Sequence, residues 1–131
     1  MLTVQQIYAA APLTETLGIT FAKLEPDEVR AELAWRQELS TIGGGMHGGA
    51  LMSLADIAAT VCATLNAPDG ATTTTAESTS YFLRPVPGDA TAVARPLRAG
   101  RRTVFVEVDV LDADGRLCGR TTQVQSILTP R

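Results

Sequence analysis

The chain contains a single histidine, His47, followed directly by Gly48 and Gly49. The run that opens there, GGALMSLADIAATVCATL (48–65), is apolar on nearly every side except at Ser53, Asp56, Thr60 and Thr64. Those four stand three, four and four positions apart, so on a helix they share one stripe. The first N–H groups of a helix lack intrahelical acceptors, and glycines there let a ligand approach closely. With the positive end of the helix dipole behind them, such groups can stabilise an oxyanion. Asp56 lies nine positions past His47, roughly 13 Å along a helix axis. A carboxylate in apolar surroundings costs free energy unless it is hydrogen-bonded. Asp56 is therefore either a working acid or base, or a group satisfied by Ser53 and Thr60 with no further part.

The same inventory excludes several chemistries. One histidine cannot build a histidine-rich metal site, and a Ser-His-Asp triad could form only around His47. Cys62 and Cys118 are far apart, which is neither a disulfide framework nor a zinc pattern. No metal and no cofactor is expected. Gly43, Gly45 and Gly48 spell G-x-G-x-x-G, but the preceding RQELSTI is no buried strand, and no βαβ unit with an acidic residue ~20 positions on follows. DADG (112–115) lacks the downstream Glu of a calcium loop and reads as a hairpin turn. Arg95, Arg98, Arg101 and Arg102 gather in an otherwise acidic chain. Guanidinium forks suit phosphates, although a turn facing water explains them equally well.

The elements that must position these groups follow from periodicity. Val4 to Ala11 is a short helix closed by Pro12, and a segment with Leu17, Ile19, Phe21 and Leu24 is extended. Val29, Ala31, Leu33 and Trp35 alternate with polar or small residues, the period of a half-buried strand. A glycine-rich loop (37–46) leads into the long helix from Gly48 to Leu65, which is ended by NAPDG (66–70). Four strands follow: Thr72 to Leu83, Ala90 to Arg98 with Pro96 marking an edge or bulge, Val104 to Leu111, and Leu117 to Leu128. Their short turns favour antiparallel pairing. The economical arrangement is α+β, one antiparallel sheet curled around one long central helix. A helix apolar on every face needs more cover than a single sheet gives, which points to a second sheet from a partner subunit.

With 131 residues, 45% hydrophobic and 19% charged, the chain is expected to form one domain over 1–131. Its net charge of −3 argues against nucleic acid as a partner. The start lacks the basic-then-apolar pattern of a secretory signal. The stretch from Ala50 to Leu65 is short for a bilayer and carries Asp56. A cytoplasmic protein with no membrane partner is expected.

The run HGGALMSLAD resembles the HGG-x-x-x-x-L-x-D signature of hotdog-fold acyl-CoA thioesterases of the phenylacetate-pathway and 4-hydroxybenzoyl-CoA type. TAESTSYFLRP resembles that family's strand ending in F-L-R-P, and GRRTVFVEVDVLDADGRLCGRTT its last hairpin, so the likeness covers about residues 13–128. The resemblance implies a hotdog fold and hydrolysis of an acyl-CoA, aromatic or of short to medium chain, to the acid and coenzyme A. It also implies roles. Gly48 N–H would polarise the thioester carbonyl, with His47 supporting the turn. Asp56 would be nucleophile or general base, and Thr75 would orient the water or the carboxylate. Gly49 and the hairpin arginines Arg98, Arg101 and Arg102 would contact coenzyme A. Relatives carry Asn or Gln six residues before HGG, where this chain has Thr41, whose shorter hydroxyl would take that place. Sites shared across a homodimer, with pairing into a homotetramer, are implied too. The separation of Gly48 and Asp56 along one helix agrees, being too long for both to serve one carbonyl carbon. Met46, Leu51 and Met52 could line an acyl pocket or simply pack. A non-catalytic acyl-CoA-binding module is the alternative reading, which Thr41 favours and Asp56 opposes. A hotdog dehydratase, which pairs a His with an acid in another motif context, fits poorly.

Overall fold

In the computed structural model, residues 2–129 are described. Helix α1 (Val4–Ala10) opens with a capping box, in which Thr3 Oγ1 accepts from Gln6 N while Gln6 Oε1 accepts from Thr3 N. Helix α1 ends before Pro12 as expected, but the segment after it is not extended from Leu17 onward, because Pro12 also opens a helix. Pro12 is the first residue of that second helix, α2 (Pro12–Leu17), where its missing N–H is harmless and its fixed φ suits the first turn. Strands β1 (Thr20–Glu25) and β2 (Glu28–Leu33) follow, and Val29, Ala31 and Leu33 point inward as their alternation predicts. Trp35 departs from that alternation. It lies past the strand end, 39% exposed, and its indole N–H donates to Gly44 O across the glycine loop.

The long helix α3 (Gly48–Leu65) begins and ends where its composition predicts. Nine of its residues are buried, among them Leu54, Ala58, Ala59 and Cys62. By length and composition it could cross a membrane, but half of it is buried inside the molecule. It packs on β4 (Ala90–Ala99), β5 (Thr103–Leu111), β2, β3 (Thr72–Phe82) and β6 (Leu117–Leu128). The six strands form one antiparallel sheet in the order β1-β2-β4-β5-β6-β3. This is the hotdog arrangement, a sheet curled around a central helix. Pro96 sits at a register shift in a central strand, so the bulge reading holds and the edge reading does not.

The two edges are β1 and β3. Strand β3 also has a register shift between Thr75 and Glu77. A bulge adds one residue and reverses which later side chains face inward. Thr73 and Thr75 before it, and Ser78 and Ser80 after it, all make polar contacts on the inner side. In an unbulged strand, positions 75 and 78 would face opposite ways.

Candidate active site

At the start of α3 the backbone is held by its own histidine. His47 is the N-cap, and its Nδ1 accepts from Gly49 N at 2.8 Å. An accepting Nδ1 places the proton of a neutral imidazole on Nε2. With Gly49 N–H so engaged, Gly48 N–H has no acceptor among the described residues. A free donor thus remains at the positive end of an eighteen-residue helix. The loop before it turns through Gly43 and Gly44, whose φ values of 88° and 89° suit glycine. Thr41 and Gly45 close that loop through Thr41 N–H to Gly45 O, and the Thr41 hydroxyl makes no hydrogen bond among the described residues. An open cleft of about 540 Å³ runs past Gly48, lined by Thr41, Ile42, Met46, Leu51, Phe82 and Leu83 among others. Its walls are mainly apolar; Ile42 is fully exposed, and Phe82 and Leu83 are more than half exposed. Leu51 and Met46 do both things open to them, packing in the core and lining this cleft, whereas Met52 lies outside it.

Two turns further along, Asp56 is half-buried against the sheet. Ser53 and Thr60 do not satisfy it. Ser53 Oγ donates back to Gly49 O, and Thr60 meets Gln125 instead. The Asp56 partners are Gln123 Nε2, which donates to Oδ1 at 2.9 Å, and the Thr75 hydroxyl at 3.5 Å. Gln123 and Gln125 are 2% and 0% exposed and sit on the inner face of β6. Periodicity shows that Thr121, Gln123 and Gln125 share one face, opposite Thr122, Val124 and Ser126, but not that this face points inward, as it does.

The helix thus brings His47, Gly48 and Gly49 together with Thr41 at one end, and Asp56 with Thr75 eight positions on, about 12 Å along the axis. It does not bring the arginines to either. Arg95 belongs to an ion-pair group, donating to Glu28 Oε1 at 2.7 Å beside Arg30 and Lys23. Arg98, Arg101 and Arg102 form no ion pair among the described residues. Arg101 and Arg102 turn beside the β6 end, with Ile127 N–H donating to Arg102 O, where Thr72 of β3 also pairs. Gly48 lies at the opposite end of β3, beside Phe82. Ten steps of strand separate the two ends, about 33 Å. Neither cysteine offers a thiolate at neutral pH: burial, with a smaller push from Asp27, raises Cys62 to about 12, and burial followed by Asp112 raises Cys118. A free N–H at a helix start, a hydrogen-bonded carboxylate and an apolar cleft between strand and loop are the parts of an acyl-transfer site.

Comparisons with known proteins agree with that chemistry. Residues 43–119 match the family described as the thioesterase superfamily. A putative esterase of Saccharolobus solfataricus is 35% identical over 107 residues, covering 79% of this chain and 69% of its own length. A proofreading thioesterase of Cronobacter turicensis is 30% identical, over 81% of this chain and 78% of its own. Among solved structures, a thioesterase of Haemophilus influenzae superposes with a TM-score of 0.89 at 22% identity, over 98% of this chain and 92% of that one. The fold is the same.

Proposed function

The chain belongs to the thioesterase superfamily and is a thioester hydrolase, and from that premise we propose that it cleaves acyl-coenzyme A with Asp56 as general base. The observation that carries the reading is the unpaired Gly48 N–H at the start of α3, beside a cleft of about 540 Å³. The thioester carbonyl oxygen accepts from that N–H. Asp56 Oδ1 is taken up by Gln123 and Thr75, while Oδ2 makes no hydrogen bond within the described residues and is free to take a proton. Water, deprotonated by Asp56, adds to the carbonyl carbon, and the oxyanion that forms is held by Gly48 and the helix dipole. Collapse breaks the C–S bond, and the proton on Asp56 passes to the departing thiolate. The Thr41 hydroxyl stands at the cleft wall, where it can orient water or carbonyl.

Two observations support a homodimer with shared sites. Gly48 and Asp56 lie about 12 Å apart on one helix, and β3 offers eleven residues of unpaired edge, most of them exposed. A second chain pairing antiparallel along that edge would lay its Thr72 end against this chain's Phe82 end. Arg98, Arg101 and Arg102 of one subunit would then approach the other's Gly48, where coenzyme A phosphates could meet them. An aromatic or short- to medium-chain acyl group suits the cleft formed by Ile42, Phe82 and Leu83. Two free buried cysteines accord with a reducing, cytoplasmic setting.

The test is release of free thiol across aromatic, short-, medium- and long-chain acyl-CoAs. Asp56→Asn keeps the shape and loses the base, so kcat falls ~10²–10⁴-fold while substrate still binds. Turnover near wild type in that variant would overturn the assignment and leave a binding module. A single turnover in H₂¹⁸O tests the role from one side: ¹⁸O found in Asp56 would show a mixed anhydride opened at the aspartyl carbon, hence direct nucleophilic attack, and would overturn the general-base assignment.

A further inference from the structure

The inward face of β6 holds two amides where apolar side chains would pack at lower cost. Gln123 and Gln125 are as buried as any core residue, yet each carries four hydrogen-bonding valences to satisfy. The contacts they make run in one direction. Gln125 Nε2 donates to Gln123 Oε1 at 2.6 Å and to Thr75 Oγ1 at 2.7 Å. Gln123 Nε2 then donates to Asp56 Oδ1 at 2.9 Å and to Ser78 Oγ at 3.1 Å. The far oxygen, Gln125 Oε1, is buried without a partner.

That order is not reversed at acceptable cost by turning one amide or both. Turning Gln123 over alone would set its Oε1 against an Asp56 carboxylate oxygen and its Nε2 against Gln125 Nε2, two repulsive contacts. Turning both would still oppose Oε1 to the carboxylate, and would bury a two-donor amine where one unpaired oxygen now sits. An ionised carboxylate accepts only, so Asp56 and the two amides fix one another's orientation. Thr75, accepting from Gln125, keeps its own hydrogen free to point at Asp56. The β3 bulge serves the same end, since it lets Thr75 and Ser78 both face this pair.

We infer that Gln123 and Gln125 form a directional amide relay that positions Asp56 and Thr75 for catalysis. This rests on the reading of Asp56 as the base. The two glutamines are positioning residues, acting through Asp56 and Thr75 and not on the substrate. Removing Gln123 alone orphans the buried Gln125 amide and takes the donor from Asp56, whereas replacing both with leucine leaves no buried amide unpaired, with Asp56 keeping only the Thr75 hydroxyl.

The experiment compares Gln123→Leu, Gln125→Leu, the double leucine variant, Asp56→Asn and Asp56→Asn/Gln123→Leu in the intact chain. Thiol release gives kcat and KM, and thermal unfolding gives stability. The relay predicts that each single leucine variant loses ~10–100-fold in kcat, the usual cost of a misplaced catalytic group, with KM little changed. The double variant regains Tm relative to Gln123→Leu, whose Gln125 amide is left unpaired, but stays as slow. In the Asp56→Asn background, Gln123→Leu changes kcat by less than ~3-fold, because its effect runs through Asp56. If the double variant recovers kcat together with Tm, the amides are mere packing and the inference falls. It falls equally if Asp56→Asn is slow but all three leucine variants turn over normally. Near-normal turnover by Asp56→Asn is a separate failure, that of the base itself.

Discussion

Complementation between two inactive variants decides whether one site is built from two chains. Asp56→Asn removes the proposed base, and Gly48→Val places a branched side chain beside the proposed oxyanion donor. A Cβ at position 48 would lie 3.5 and 3.6 Å from two ring atoms of Phe82, an ordinary contact, and thermal unfolding of the variant shows whether its two further methyl groups are accommodated. Eight helical steps put Gly48 and Asp56 about 12 Å apart, whereas reacting groups must come within ~3–3.5 Å of their target. A water or side chain cannot close that gap within one chain, but a partner related by a twofold axis can. A heterodimer of the two variants then has one site with both groups intact and one with both lost. Purified heterodimers should show about half of wild-type activity, and an equal mixture that pairs at random about a quarter, because half of its dimers are mixed. Differently tagged chains are refolded together, heterodimers are isolated through both tags, and thiol release is compared with each parent. Heterodimers that form but stay at the parental background would show that both groups act from the same chain, and the separation argument would be wrong.

Three more outcomes are expected. Thr41→Ala lowers kcat/KM about five- to tenfold, the worth of one hydrogen bond, and Thr41→Asn keeps or raises it; if neither moves it, Thr41 has no part in the site. A Cβ on Gly49 would come within 3.1 Å of His47 Nδ1, so Gly49→Ala displaces the imidazole, costs about 1 kcal/mol of capping in urea titrations, and slows thiol release. The hydrogen bond from Arg30, then that from Arg95, outweigh the effect of burial and hold the Glu28 carboxyl below its usual range. A carboxyl depressed in the folded state stabilises above its unfolded value and loses that contribution as pH falls through the folded one. Wild type should therefore lose about 1 kcal/mol more than Glu28→Gln as denaturation is followed from pH 7 to below pH 4, and parallel curves would refute the ion-pair account.

What the sequence reveals depends on whether a signal is local. The helix from Gly48 to Leu65 is legible because eighteen residues without proline leave no other choice, and its stripe of Asp56, Thr60 and Thr64 is written in the spacing. Pro12 marks the end of α1 but hides α2, because the residue that stops one helix has the fixed φ that starts the next. Trp35 misleads because a period of two does not say where a strand ends. The arginine cluster was visible as charge, yet which of its members meets Glu28 is decided by the pairing of β2 with β4.

Harder to see is the polar seam that faces the helix stripe. In TTTTAESTS every residue from 72 to 80 is small or polar, so nothing in composition marks the bulge at Thr75/Glu77 that turns Thr73, Thr75, Ser78 and Ser80 all one way. Gln123 and Gln125 pass for the wet face of an alternating strand until the helix carboxylate is set against them. Neither half of the seam has a reason alone. The stripe would be unsatisfied against an apolar sheet, and the glutamines would be buried without cause against an apolar helix. Their joint presence is what the proposed base Asp56, half-buried between helix and sheet, requires, since only a matching set of donors can hold a carboxylate there in one orientation.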